Sequence, residues 1–289
     1  MNPIPGLKAL ALALLIACPL PALAIGTVSD GGVTFGYSQN FNTSNGNTVN
    51  TDFTGAAAGD QLYESWWFYR LQADGREFAF AAPDVEDYTL FGGTVGELQW
   101  FDPSGTGLFD ARLLFEVMET GPNQGVVFQN LQIINTGLSD LTIDVFHYTD
   151  LDLGGSFGDD EATLVTNPSA IEMSISDATT SAPFIGYDAD AYQVTTWRTL
   201  LRDLTDNNVD DLDDTGLPFA VGSGDDFTGA FQWTRTIGVG SRNDFLVQFG
   251  SDSALQDPTT SMVPEPGPAI LAGLGLAGLS ITGRKPRRR

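Results

Sequence analysis

The chain has 289 residues and a formal net charge of −24, with 37 acidic residues against 13 basic ones. Away from Lys8 and the basic residues after Gly283, every cation is an arginine, so the body repels phosphate backbones and anionic headgroups, which argues against nucleic acid as a partner. Cys18 is the only cysteine and His147 the only histidine, which excludes disulfides and cysteine chemistry from the body and rules out multi-histidine zinc sites.

In chain order, residues 1–24 read as a signal peptide. Lys8 precedes an apolar run from Ala9 to Ala17, and Ala22 and Ala24 place small residues where signal peptidase cuts. Cleavage there starts the mature chain at Ile25. A second reading stands beside it, because Leu15-Ile16-Ala17-Cys18 resembles a lipobox in which Cys18 would carry the lipid. The following residues, 25–262, form the working domain, long enough to bury a large core without covalent cross-links.

The dominant period within that domain is two. Leu141, Ile143, Val145 and His147 alternate with Thr142, Asp144, Phe146 and Tyr148, and Ile171, Met173 and Ile175 alternate with Glu172, Ser174 and Ser176. Further strands are predicted over 33–37, 61–71, 77–82, 98–101, 112–120, 126–135, 184–189, 227–237 and 244–250, with glycine, proline, asparagine and aspartate between them. The segments 126–135 and 141–148, joined through Asn135 to Asp140, predict an antiparallel hairpin. The polar stretch 40–60 predicts a long exposed loop. Trp197, Leu200, Leu201 and Leu204 have the spacing of an apolar helix face, and Asp206-Asn207-Asn208 ends it. The fold class is therefore all-β: a large antiparallel two-sheet sandwich with one short helix. So many long strands resemble the supersandwich of galactose-mutarotase-like proteins, a likeness of fold that implies no activity.

At the C-terminus, residues 263–289 combine three parts. Pro264-Glu265-Pro266 is followed by an uncharged run over 267–283 that predicts a transmembrane helix, and then by the basic end 284–289, which stays cytoplasmic. Gly273, Gly275 and Gly278 spell a dinucleotide-like GxGxxG, but they lie inside the apolar run and lack its strand and helix context. In this order the parts resemble the PEP-CTERM sorting signal. That resemblance implies processing by an exosortase-type protease in a Gram-negative bacterium that makes exopolysaccharide, and release to the cell surface or matrix. Pro264, Glu265 and Pro266 would be recognition residues only. The partners expected are signal peptidase, the exosortase, exopolysaccharide, and the membrane through the tail helix before processing.

Three kinds of chemistry compete with plainer readings. Asp206, Asn208 and Asp210 open like a calcium loop, yet Asp211 and Leu217 stand where such a loop wants glycine and glutamate, so the rival is a solvated acidic turn. Asp150 and Asp152 with Asp159, Asp160 and Glu161 form a second candidate calcium cluster, and no other cofactor is expected. His147 reads as a hydrogen-bonded strand residue and not a catalyst. Trp66, Trp67, Phe68 and Tyr69, like Trp100 and Trp233, could stack on sugar rings, but consecutive strand residues point both ways, as in a packed core. With no catalytic constellation identifiable, the expectation is a non-enzymatic surface or matrix protein with a structural or adhesive role. The alternative is a carbohydrate-binding or carbohydrate-active protein, to be distinguished by a concave site with exposed aromatics and convergent carboxylates.

Overall fold

A computed structural model describes residues 25–38, 41, 51–56, 59–122, 124–155, 157–178, 180–220 and 226–251. The leader with Ala22 and Ala24, the Pro264-Glu265-Pro266 motif and the predicted membrane helix lie outside them. Among the described residues no helix is long and apolar enough to cross a membrane.

The chain folds into three antiparallel sheets rather than the two expected. The first holds β1 (Ile25–Asp30), β2 (Val33–Ser38), β3 (Thr51–Ala56) and β4 (Gly59–Asp60). A five-stranded sheet runs in the spatial order β15 (Ala191–Thr196), β16 (Phe227–Ile237), β11 (Leu141–Leu151), β5 (Leu62–Leu71), β6 (Phe78–Ala79). The eight-stranded sheet runs β12 (Glu161–Asn167), β13 (Ala170–Ser176), β14 (Ser181–Tyr187), β17 (Arg242–Ser251), β10 (Gln124–Asn135), β9 (Phe109–Gly121), β8 (Val95–Trp100), β7 (Val85–Leu90).

The two smaller sheets share one face of the large one. Phe35 and Phe53 of the four-stranded sheet meet Phe249, while Trp233 of the five-stranded sheet meets Phe245 and Tyr69 meets Phe109. Thr51 Oγ1 accepts from the Ser65 amide and donates to its carbonyl at 3.1 Å, joining the two smaller sheets edge to edge. Alternation explains the core: Leu131, Phe245 and Leu113 pair across neighbouring strands and point inward. Their neighbours Leu114, Val126 and Phe128 form a smaller cluster on the opposite face.

Two sequence expectations fail here for identifiable reasons. β10 and β11 do not pair: β10 lies between β17 and β9, and β11 between β16 and β5, so the connection crosses between layers. Asn135 Nδ2 donates to the Ser139 carbonyl within the turn and to the Ile237 carbonyl of β16, and Thr136 and Gly137 donate to the Leu108 carbonyl just before β9, which ties the turn to distant parts of the chain. The stretch 40–60 is not wholly loop, since β3 buries Thr51 and Phe53.

Gly186 marks a close approach of the layers, because a Cβ there would lie 2.6 Å from the Phe231 ring. Gly186→Ala is expected to destabilise the protein by about 1–3 kcal/mol through overpacking, measured by urea unfolding. An unchanged midpoint would mean that Phe231 can move aside.

Candidate functional site

The antiparallel order of the five-stranded sheet brings four chain positions to one of its ends. β5 begins there and β11 ends there, β16 begins beside it and β15 ends beside that. Residues just inside or beyond these ends are therefore neighbours in space although far apart in sequence. The Asp152 amide donates to the Gln61 carbonyl at 3.1 Å, the Trp197 amide to the Asp226 carbonyl at 3.0 Å, and Thr228 Oγ1 to the Thr195 carbonyl at 3.0 Å. Asp150 stands opposite Glu64 on one side and Thr228 on the other. After β11 the chain passes through a short 3-10 turn, Leu153–Gly155, in which Gly154 takes a left-handed φ of 66° that suits glycine. Buried Leu153 pins this turn, and beyond it Phe157 points outward.

Tyr63, Asp152, Phe157, Trp197 and Asp226 line a cleft of about 350 Å³ at this end. Its three aromatic side chains remain exposed, Tyr63 at 45 %, Phe157 at 75 % and Trp197 at 38 %, in a protein that buries Trp66, Trp67, Trp100 and Trp233 almost completely. Such a cluster of exposed rings around one depression is a departure from the burial that large apolar groups favour. Trp197 was expected on the buried face of the helix. The helix α1 instead spans Thr199–Thr205 and buries Leu200, Leu201 and Leu204. Arg198, at a left-handed φ of 65°, turns the chain before it, which takes Trp197 off the helix face, and the Arg198 guanidinium lies 4.3 Å from the Trp197 ring centroid.

The floor of the cleft is acidic. Asp150, Asp152 and Asp226 each offer an oxygen within 4.8 Å of the other two. Burial, reinforced by Asp226, Asp152, Glu64 and Asp160, pushes the Asp150 carboxyl up to about 9. Burial and Asp226 push Asp152 up to about 6, and burial alone raises Asp226. Asp160 is carried to about 8 by burial, with Asp159, Asp152 and Asp177 adding to it against a hydrogen bond from Leu153. Carboxyl groups held near neutrality beside a cleft can exchange protons with a ligand, accept hydrogen bonds from hydroxyls, or bind a hard cation.

The other sequence candidates fall elsewhere. Asp206, Asn208 and Asp210 lie on the loop after α1, where Asp206 accepts from the Asn208 amide and from its side chain at 2.7 Å, and Arg70 reaches the Asp210 carbonyl at 3.0 Å. Trp66, Trp67, Phe68 and Tyr69 are all buried in the sandwich. His147 is buried as well, 3.1 Å from Ser65 Oγ, with its ring against Trp67 and Phe184. Of the second acidic cluster, the fold takes Asp150 and Asp152 into the site and adds Asp226. Asp159 and Glu161 are exposed. Sequence reasoning missed Tyr63, Phe157 and Asp226: Tyr63 lies near the start of the predicted strand 61–71 and Asp226 just before 227–237, while Phe157, in the glycine-rich stretch after Asp152, carried no signal.

No protein-family model and no curated protein sequence matches the chain. Among solved structures, a bacterial glucoamylase complexed with acarbose is similar over 90 % of this chain, at 9 % identity and a TM-score of 0.49, and this chain spans 35 % of that one. A protein described as an aldose 1-epimerase from Escherichia coli K12 is similar over 80 % of this chain and 99 % of its own, at 10 % identity and a TM-score of 0.47. A galactose mutarotase related enzyme from Lactobacillus acidophilus is similar over 81 % and 99 %, at 9 % identity and a TM-score of 0.49. The expectation of a non-enzymatic protein rested on finding no catalytic constellation, and the fold corrects that premise by bringing Asp226 beside Asp150 and Asp152 at the cleft.

Proposed function

We propose that the chain is an exported carbohydrate-active protein that takes a sugar in the cleft between Tyr63, Phe157 and Trp197. The observation that carries this reading is the combination of three exposed aromatic rings with Asp152 and Asp226 on one concave surface. Aromatic faces cover the apolar face of a pyranose, and carboxylates accept hydrogen bonds from its hydroxyls. Asp152 and Asp226 are the groups within reach for proton exchange with that sugar. Because the site is acidic, the ligand is a neutral or hydroxyl-rich glycan and not an anionic one. The leader and the tail add a location: export through signal peptidase, then sorting by an exosortase-type protease to the cell surface or to an exopolysaccharide matrix, where such a ligand would be abundant.

Two measurements test the two halves of this reading. A glycan array followed by titration calorimetry is expected to show saturable binding of neutral oligosaccharides, and Trp197→Ala is expected to weaken it about tenfold. Absence of selective binding, or a Trp197→Ala variant equal to the parent, would remove the sugar from the cleft. Intact mass of the exported form is expected to begin at Ile25 and to lack Arg289. An uncut tail would remove the sorting step.

A further inference from the structure

The carboxylates below the cleft pose a problem that the sugar reading leaves unsolved. Asp150 is fully buried, and neither of its carboxylate oxygens has a hydrogen-bond partner among the described residues. Asp152 Oδ1 and Asp226 Oδ1 are buried without a partner in the same way. No ion pair among the described residues reaches any of the three. Glu77, another buried acid, is paired by contrast: its Oε1 receives Arg70 Nη1 at 2.6 Å and the Asp210 amide at 3.1 Å. Burying a charge without a partner is among the costliest arrangements available to a protein, so an unpaired carboxyl with further acids beside it calls for something to neutralise it.

We propose that Asp150, Asp152 and Asp226 form a calcium site at the floor of the cleft. Two oxygens on opposite sides of one calcium stand about 5 Å apart, twice the usual 2.3–2.6 Å bond, and the three carboxylate oxygens here lie within 4.8 Å of one another. Magnesium wants shorter bonds in a strict octahedron, and these ligands, set by strand ends and by a loop, are not arranged around so small a centre by any hydrogen bond between them. Zinc and copper favour nitrogen and sulfur, which the cluster does not supply, since it is built of oxygen alone. Calcium takes six to eight oxygens, and water entering through the cleft can complete the set. Asp150 lies on β11, Asp152 just beyond it and Asp226 just before β16, so one ion would bind two neighbouring strands at their shared end. This site stands on the carboxylates themselves and does not depend on a sugar above them.

The test uses the full chain, stripped with a chelator and titrated with calcium chloride. A saturable rise in melting temperature is expected, with magnesium at the same concentration giving a smaller one. Terbium is expected to give emission on tryptophan excitation, through Trp197 at the cleft wall, which calcium displaces. Asp226→Asn is expected to weaken calcium binding about tenfold and Asp150→Asn to abolish it, as lost ligand charge does in oxygen sites. Asp140→Asn, at an exposed position in the loop between β10 and β11, is expected to change nothing. Asp226→Asn reports on the site even if Asp150→Asn fails to fold. The proposal is overturned if millimolar calcium leaves the parent's melting temperature unchanged. It is equally overturned if Asp226→Asn responds as the parent does, which would assign the rise to the acidic surface at large. Loss of glycan binding with the calcium response intact would sink the sugar reading alone.

Discussion

Arg70→Met is expected to cost about 3–5 kcal/mol of stability, the penalty for leaving a buried partner charge stranded. The Arg70 guanidinium donates to Glu77 at 2.6 Å, to Asp144 at 2.7 and 3.0 Å, to the Asp210 carbonyl at 3.0 Å and to Asp211, and it sits 5.5 Å from the Phe146 ring centroid. Its partners are unequal. The Asp211 side chain is largely exposed and contributes little in water, whereas that of Glu77 is only 1 % exposed and has no other ion pair among the described residues. Burial alone would lower the Arg70 pKa, yet the hydrogen bonds it donates to Asp211 and Asp144 hold it above its ordinary value. Burial raises Glu77, and the Asp210 amide and Arg70 pull against that rise. Arg70→Lys is expected to recover only part of the loss, since an ammonium cannot reproduce a planar fork spread over three carboxylates. Urea unfolding gives the magnitude, and a loss under about 1 kcal/mol would show that water already screens the cluster.

The same arginine shows why parts of the fold were legible and others were not. Alternation in β11 and β13 announces one inward face, and the triplet Leu200, Leu201, Leu204 announces α1, because these patterns are local. β7 was missed because its residues are exposed or half-buried and no period of two can arise in a strand without a buried face. β3 was missed because Phe53 is its only large apolar residue, and its place is fixed by pairing with β2. Layer assignment is not local at all. The Asn135 to Asp140 loop has hairpin composition, but its polar groups also reach Leu108 and Ile237, which no window around the loop contains. The candidate site obeys the same logic. Asp150 and Asp152 stood out together, yet Asp226 and Tyr63 join them only because antiparallel strands return to the same end, and Asp206 drew attention through a motif in which Asn208 takes up the Asp206 carboxylate. Spacing within a motif is visible in sequence, while convergence of strand ends requires the sheet order.

His147→Phe is expected to change the acid limb of stability by on the order of 5 kcal/mol across its full range, at about 1.4 kcal/mol per pH unit. Burial holds the His147 ring neutral down to about 3, whereas in the unfolded chain it takes a proton near 6.5. Between those values the unfolded state binds one more proton than the native state, so this residue's contribution is lost as pH falls through the window. Asp152, Asp160 and Asp150, raised to about 6, 8 and 9, act with the opposite sign when no cation is bound. Each keeps a proton in the fold that it would lose near 4 when unfolded. Their contribution is therefore complete below about pH 4 and disappears as pH rises through their folded values. The parent's profile sums these opposing slopes and cannot be assigned to one residue. The difference between parent and His147→Phe removes the shared acids and leaves the histidine. Phenylalanine keeps the ring between Trp67 and Phe184 and gives up only the contact with Ser65 Oγ. Relative to the parent, the variant should gain about 1.4 kcal/mol for each unit the pH falls between 6 and 4, measured by urea unfolding at fixed ionic strength. A difference that stays flat over this range would mean that His147 accepts its proton inside the fold, with water or a carboxylate reaching a ring that the sandwich otherwise seals.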